Sequence, residues 1–295
     1  MNIIFASKNN KKRPKLMKIT TSKSFISRLI VSSFIILLHA NFSPAAKPAL
    51  PPSTGSKVRT IVLDPGHGGE DGATRGAISR EKDVALQVAL KLGAAIEKAL
   101  PDVKVVYTRK TDVFVKLYDR IGLANQVKAD LFISIHCNSM PLIWYQGKKI
   151  PDPRPRGTET LVSGFGRVAE QSAAIRENAS ILLEKDYKSN YEGFDPKDPE
   201  SYIIFSLMKN SYREQSIRLA SLMQEEYVKS DRVSRGVKEQ SLAVLAKAGM
   251  PAVLTEIGFI SNPTEERYMN SADGQAEIVK NILNAITIYK KQIES

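Results

Sequence analysis

The stretch Thr60-Ile-Val-Leu-Asp-Pro-Gly-His-Gly-Gly69 begins with a short apolar strand and continues into a glycine-rich turn. A second run, Leu131-Phe-Ile-Ser-Ile135, is almost continuously apolar, which is typical of a strand that is covered on both faces. Between the two runs, apolar residues recur at helical spacing over residues 81–99. Strands that alternate with helices in this way predict an α/β layered fold.

The rest of the chain continues the same alternation. Residues 139–157 contain four prolines and are expected to form a surface excursion, and residues 185–200 are polar and rich in turn formers. The remaining predicted strands cover 103–107, 157–162, 242–246 and 251–257, and the remaining predicted helices cover 117–127, 167–184, 210–229 and 275–291.

The net charge of +12 comes mostly from the first 46 residues, which carry eight basic residues and no acid. Removing these eight from the 43 basic residues leaves 35 against 31 acids, with no dense basic stripe that would indicate nucleic-acid binding. The basic segment precedes an apolar run at 29–38 and small residues at Ser43 and Ala45, as in a secretory signal peptide. A run of about ten residues is too short for a stable membrane span.

We therefore expect a signal peptide over residues 1–46, a Pro-rich linker over 47–57, and a periplasmic or secreted protein. An uncleaved membrane anchor is the alternative, and Met17 is an alternative start. Cys137 is the only cysteine, so no intramolecular disulfide can form.

Three polar side chains occupy positions where an α/β sheet usually binds its ligands. His67 follows the first predicted strand, His136 directly follows the strand at 131–135, and Glu81 opens the helix after the glycine-rich turn. Two imidazoles and one carboxylate suit a catalytic zinc ion, because three protein ligands leave a fourth position for water. Glu256 ends another strand that should be buried, where a metal-bound water would be one partner for its carboxylate.

Each of these residues also has a purely structural explanation. A histidine at a strand end is often just hydrogen-bonded, and a glutamate in a first helical turn complements the helix dipole. The glycines of 66–69 are explained equally well by a tight turn or by an anion cradle. From the residues alone, a metal site and structural roles are equally open.

Four stretches in order resemble the zinc-dependent N-acetylmuramoyl-L-alanine amidases of the periplasmic cell-division type, and the resemblance covers about residues 59–289. In chain order the stretches are Ile61-Val-Leu-Asp-Pro-Gly-His-Gly-Gly69 with Glu81 fourteen residues after His67, Tyr107-Thr-Arg-Lys-Thr-Asp112 followed by Leu117 and Arg120, Asp130-Leu-Phe-Ile-Ser-Ile-His-Cys-Asn138, and Leu254-Thr-Glu-Ile-Gly-Phe-Ile-Ser-Asn-Pro263.

The resemblance implies that His67, Glu81 and His136 bind Zn²⁺ and that Glu256 is the catalytic carboxylate. It implies hydrolysis of the amide bond between N-acetylmuramic acid and L-alanine of the peptidoglycan stem peptide, for cell-wall remodelling or daughter-cell separation. The implied fold is a single three-layer α/β domain over 58–291, with a twisted, mostly parallel sheet of about six strands between helices. Arg109 and Arg120 match family positions, where either a structural ion pair or substrate orientation explains them.

Residues 139–209 form an insertion that is longer than a minimal catalytic domain needs. Division-type members carry a helix here that covers the zinc until an activator protein displaces it, and Arg176-Glu-Asn-Ala-Ser180 resembles that helix. The hypothesis is an autoinhibitory helix with Glu177 as a candidate fourth zinc ligand. The alternative is a surface helix with solvated acids.

Two other functions compete with the amidase. A non-catalytic peptidoglycan-binding module would keep the fold but lack a ligand or the base, and another zinc hydrolase, such as a carboxypeptidase or sugar deacetylase, would cut a different bond. A structural envelope protein leaves both histidines at strand ends unexplained. The expected partners are peptidoglycan and an envelope activator protein, and the absence of a long heptad run favours a monomer.

Overall fold

The computed structural model describes residues 57–140, 142–164, 171–202 and 211–295. The predicted signal peptide and nearly all of the predicted linker lie outside these residues. Within the described part of the chain, no helix combines the length and the apolarity that crossing a bilayer requires.

Six of the eight described strands form one sheet with the order β2-β1-β3-β8-β6-β7. The strands are β1 (Thr60–Pro65), β2 (Lys104–Tyr107), β3 (Leu131–Asn138), β4 (Leu142–Tyr145), β5 (Lys148–Pro151), β6 (Thr158–Ser163), β7 (Ser234–Gln240) and β8 (Ala252–Phe259). The first four strands in the sheet order run parallel, and β6 pairs antiparallel with β8 and parallel with β7. The expected mostly parallel sheet of six strands is confirmed.

Helices cover both faces of this sheet. The α-helices are α1 (Glu81–Ala99), α2 (Leu117–Gln126), α3 (Ser172–Asn178), α4 (Tyr187–Asn190), α5 (Arg213–Lys229), α6 (Ala243–Ala246), α7 (Pro263–Asn270) and α8 (Ala272–Glu294), and the 3₁₀ helices are Ala179–Leu183 and Pro199–Ser201.

The core is divided by the sheet into two apolar clusters. Ile61 and Leu63 of β1 pack with α1, α5 and α8 on one face, whereas Val62 packs with α2, α6 and residues near α3 on the other. Successive side chains of a strand point to opposite faces, so a strand buried on both faces has to be apolar at nearly every position. All eight residues of β3 are buried, which confirms the interpretation of its apolar run and the three-layer arrangement.

Three predictions about individual elements were wrong. Residues 242–246 were predicted as a strand but form the helical turn α6, because a short apolar run has no periodicity that separates a buried turn from a buried strand. The helix predicted at 167–184 is shorter, since α3 ends at Asn178 and continues only as a 3₁₀ turn; residues 167–170 lie outside the described residues. His136 lies within β3 rather than after it.

The strand register brings three polar residues into one row across the sheet. His136 of β3 is paired with Glu256 of β8, and Glu256 is paired in turn with Glu159 of β6. Directly paired residues point to the same face of a sheet, so the three side chains share one face. This row defines the floor of the site.

Candidate metal centre

Four buried side chains converge at one end of the parallel strands. His67 comes from the turn after β1, Glu81 is the first residue of α1, His136 belongs to β3 and Glu177 belongs to α3. One ligand atom from each residue lies within 4.8 Å of the others. The three residues predicted as ligands, together with the candidate inhibitory residue, therefore meet in space.

The imidazole of His67 is held in place by Asp71, four residues further along the chain. Its Nδ1 lies 2.8 Å from Oδ2 of Asp71, so the proton is assigned to Nδ1 and Nε2 faces the other ligands. The backbone of His67 has a φ of 59°, a conformation that is uncommon for a residue with a side chain. Such strain is typical of positions that the surrounding structure holds for function.

Glu81 receives hydrogen bonds from the backbone on both sides of its carboxylate. The backbone N–H of Cys137 donates to Oε1 at 2.9 Å, and that of Thr74 donates to Oε2 at 3.3 Å. Burial raises the pKa of Glu81, but the charge of His67 and the contacts with both imidazoles outweigh burial and lower the pKa to about 2. Glu81 is therefore ionised and oriented, as a metal ligand has to be.

His136 offers its Nδ1 to the same point. This atom lies 3.1 Å from Oε1 of Glu81 and 2.9 Å from Oε2 of Glu177. Burial lowers the pKa of His136, but the negative charge of Glu177 and the contacts of Nδ1 with both carboxylates outweigh burial and raise the pKa to about 9. Without a cation, this cluster of carboxylates therefore draws protons onto the imidazoles.

The donor set fits a zinc ion. Ligand bonds of about 2.0–2.1 Å place the ligand atoms of a tetrahedral site roughly 3.3 Å apart. The four nitrogen–oxygen separations in the cluster run from 2.9 to 3.3 Å. Moreover, Nε2 of His67 and Oε2 of Glu177 lie 3.0 Å apart, yet both are buried and form no hydrogen bond with the described residues. Atoms that converge without hydrogen bonding to one another suit a shared cation.

Glu256 lies beside the cluster and is completely buried. Burial raises its pKa to about 8, with Glu177 and Glu81 adding to the rise and Arg176 opposing it. Nη2 of Arg176 donates to Oε1 of Glu256 at 2.7 Å, while Nε of the same arginine donates to Oε1 of Glu177 at 2.8 Å. Two neighbouring residues of α3 thus contact the candidate base and the candidate ligands simultaneously.

Arg109 and Arg120 lie under the turn that carries His67. Arg109 donates to the carbonyl oxygens of Pro65 at 2.9 Å and Gly66 at 2.7 Å, and Arg120 donates to those of Pro65 at 2.8 Å and His67 at 2.7 Å. These contacts support the structural interpretation of both residues, in which they hold the turn.

The same turn is secured by a buried ion pair. Nη1 of Arg120 donates to Oδ1 of Asp64 at 2.8 Å, and the hydroxyls of Thr108 and Ser134 also donate to this carboxylate. Burial raises the pKa of Asp64, but the charge of Arg120 and the hydrogen bonds outweigh burial, so that the pKa lies below its ordinary value. Removing one partner of such a pair leaves an uncompensated buried charge, so replacement of either Asp64 or Arg120 alone should destabilise the turn.

Cys137 is buried beside Glu81, and its thiol is outside the ligand cluster. Burial raises the pKa of this thiol well above its ordinary value, and the surrounding carboxylates add to the rise. Only its backbone N–H contacts the cluster, through Glu81. These observations favour a small buried residue over a competing zinc ligand.

Gly66 touches the imidazole of His136 so closely that no side chain fits. A Cβ atom at this position would lie 2.4 Å from both Nε2 and Cε1 of His136. We expect Gly66→Ala to push the imidazole out of the cluster and to lower zinc affinity by about 10–100-fold, as measured by competition with a chromogenic chelator. Gly72→Ala is the matched control, because a Cβ atom there has no neighbour within 4 Å. Wild-type zinc affinity in Gly66→Ala would contradict the assignment of His136.

Sequence reasoning missed Asp71 and Arg176 as parts of the site. Asp71 lies four residues after His67, and the carboxylate–histidine pairing that accompanies metal sites was the signal that could have identified it. Arg176 was quoted only for the resemblance, and its contact with Glu256 joins residues 80 positions apart. No local pattern predicts such a contact.

Comparison with known proteins identifies the family. A family model described as N-acetylmuramoyl-L-alanine amidase matches residues 61–288. The chain is 32% identical over 253 residues to the amidase AmiC of Escherichia coli O6:H1, covering 83% of this chain and 57% of AmiC. It is 29% identical over 246 residues to the amidase AmiA of Escherichia coli K12, covering 83% and 80%.

A solved structure shares the architecture. The crystal structure of an N-acetylmuramoyl-L-alanine amidase from Clostridium difficile 630 superimposes with a TM-score of 0.57 and 26% identity, over 79% of this chain and 97% of that one. The match to the family model spans the sheet, the ligand cluster and Glu256. The chain belongs to the N-acetylmuramoyl-L-alanine amidase family.

Proposed function

We propose that the protein hydrolyses the amide bond between N-acetylmuramic acid and L-alanine of peptidoglycan, with Zn²⁺ held by His67, Glu81 and His136. The observation that carries this proposal is the buried convergence of these three side chains beside the equally buried Glu256. Membership of the amidase family supports the choice of bond.

Different residues of the site orient the metal ligands and transfer the proton. Asp71 holds Nδ1 of His67 so that Nε2 points at the metal position, and the backbone N–H of Cys137 orients Glu81. When bound, zinc supplies a Lewis acid that polarises the scissile carbonyl and makes water more acidic. Glu256 accepts a proton from the attacking water, whose oxygen bonds to the lactyl carbonyl carbon. As the C–N bond breaks, Glu256 donates that proton to the leaving amine of L-alanine.

We further propose that α3 and the following 3₁₀ turn inhibit the enzyme. Oε2 of Glu177 lies 3.0 Å from Nε2 of His67 and 2.9 Å from Nδ1 of His136, at the place where substrate and water have to approach. Arg176 simultaneously occupies Oε1 of Glu256. An activator protein of the envelope would release both contacts by drawing this segment away. Export through a signal peptide over residues 1–46 and action in the periplasm belong to the same proposal.

The identity of the bond is tested by product analysis. The zinc-loaded protein is incubated with purified peptidoglycan, and the released fragments are identified by mass spectrometry. We expect free stem peptides that begin with L-alanine, together with muramyl residues that carry a free lactyl carboxylate. Protein stripped with a chelator should release neither, and added zinc should restore release.

Other products would change the conclusion. Shortened stem peptides that stay attached to the glycan would indicate a carboxypeptidase, and loss of acetyl groups would indicate a sugar deacetylase. Binding to peptidoglycan without release of any fragment would favour the non-catalytic module, provided that Glu177→Ala, which removes the contact of α3 with the ligand cluster, also releases no fragment.

A further inference from the structure

A pocket of about 630 Å³ opens beside the candidate metal centre. Asn138 and Arg176 line it next to the centre, and Arg235 and Lys238 of β7 line it further along the sheet. With Arg75, four basic side chains contribute to its wall and Glu159 is the single acidic one. The pocket exists with α3 in place, and the mechanism described above leaves its basic outer end without a role.

Glu159 organises the cations at this end. It is 4% exposed and accepts a hydrogen bond from Nδ2 of Asn138 at 2.6 Å. Nε of Arg235 lies 3.2 Å from its Oε2, and Nζ of Lys238 pairs with the same oxygen. One carboxylate thus holds two cations in place, and these three side chains together carry one net positive charge.

Arg235 is held from a second direction. Its guanidinium lies 4.9 Å from the centroid of the Phe259 ring, a distance at which a cation–π contact forms. Only its Nε contacts Glu159, and among the described residues its two terminal nitrogens have no hydrogen-bond acceptor. A planar guanidinium that is fixed in this way suits a carboxylate ligand.

The distance from Glu256 to the two cations of β7 matches the length of a short extended peptide. Glu256 lies on β8, and β7 is two strands away, which corresponds to about 10 Å at roughly 4.8 Å per strand. An extended peptide covers about 3.3–3.6 Å per residue, so three residues span this distance. Stem peptides carry a free α-carboxylate on their γ-linked second residue, and their third residue in many walls carries another.

We infer that Arg235 and Lys238, positioned by Glu159, form a subsite for a free carboxylate two or three residues from the scissile amide. The inference rests on the proposed function, since it assumes that the stem peptide leaves the reaction centre along this pocket. Such a subsite would make the protein selective for stem peptides whose carboxylates are not amidated.

Peptide binding tests the subsite without requiring turnover. Calorimetry compares the full-length, zinc-loaded protein with three synthetic stem tripeptides: one with all carboxylates free, one amidated at the second residue and one amidated at the third. We expect wild type to bind the free peptide about tenfold or more tightly than one of the amidated peptides, as expected for a charge-assisted contact. The peptide whose amidation weakens binding identifies the carboxylate.

The variants assign the effect to the two cations. Arg235→Gln/Lys238→Gln should bind the free and amidated peptides alike, and each single variant should lose part of the preference even if the double variant is unstable. Lys98→Gln, an exposed basic residue in the last turn of α1, is the matched control and should keep the full preference. Equal binding of all peptides by wild type, or no binding of the free peptide, overturns the inference. So does an unchanged preference in the folded variants.

Failure of the subsite is distinguishable from failure of the proposed function. Hydrolysis of a muramyl tripeptide by the same samples is followed in parallel. Hydrolysis without carboxylate preference rejects the subsite alone. If Glu177→Ala, which removes the contact of α3 with the ligand cluster, shows the carboxylate preference but no hydrolysis, the amidase is rejected and the subsite is retained.

Discussion

Replacing Glu256 by alanine is expected to lower the rate of hydrolysis of the muramyl–L-alanine amide by about 10²–10⁴-fold, the range that general acid–base catalysis contributes. Glu256 is completely buried and lies next to His136 in the sheet, where its carboxylate can exchange a proton with a water at the ligand cluster. The rate is measured with a soluble muramyl peptide by chromatographic separation of the products. Zinc content and melting temperature are measured on the same samples.

Two further variants make this test specific. Glu256→Gln keeps the shape of the side chain and loses its capacity to accept a proton, so it should be nearly as inactive as Glu256→Ala. Glu239→Gln removes a carboxylate from β7 that pairs with Arg213, and its activity should stay close to that of wild type. If zinc-loaded Glu256→Gln kept activity within tenfold of wild type, Glu256 would not be the proton acceptor.

Replacing Glu177 by alanine is expected to raise basal hydrolysis roughly 10–100-fold, because a charge-assisted contact is worth about 1.5–3 kcal/mol. Its carboxylate lies 2.9 Å from Nδ1 of His136, so its removal frees one side of the ligand cluster. Arg176→Ala should add to this effect, since Nη2 of Arg176 contacts Glu256. Initial rates on muramyl peptide, without any activator, provide the measurement.

Point variants suit this test better than deletion of residues 165–200, which would remove α3 together with the segment that follows it. Ile181, Tyr191 and Phe194 of this segment are buried in the apolar cluster around α2 and α6, so the deletion would open the core. Glu192→Ala is the matched control, because Glu192 belongs to the same segment but pairs with Lys247 at the surface. Unchanged or lower activity in folded, zinc-loaded Glu177→Ala would refute the inhibitory role.

The apolar half of the fold was predictable because burial leaves a strong signal in sequence. The helical spacing at 81–99 and the apolar run at 131–135 correspond to α1 and β3. In contrast, β7 has the sequence Ser-Arg-Gly-Val-Lys-Glu-Gln and was missed, since it is an edge strand whose polar residues face the pocket and solvent. Helix α7 was also missed, although Asn262 caps it and Pro263 begins it, which is a recognisable start signal.

The site was predictable in its residue types but not in its connections. His67, Glu81 and His136 were identified from strand ends and from resemblance, and the structure brings them together. The contact of Arg176 with Glu256 depends on how a segment outside the sheet folds back over it, and no spacing rule contains that information. The pairing of Glu159 with Arg235 and Lys238 likewise follows from the register of β6 and β7, which a sequence without alignment does not reveal.

The parallel pairing of β1 with β3 has a consequence for turnover of the protein. His67 and His136 are brought together only when these strands are paired, and Glu81 joins them only when α1 packs against the sheet, so an unfolded chain has no preformed site. A metal that binds only the folded state adds its binding free energy to the free energy of unfolding, by about 1.4 kcal/mol for each tenfold excess over Kd. In a metal-poor compartment the chain would therefore spend more time unfolded and be degraded faster by proteases, so that metal supply would set its abundance as well as its activity.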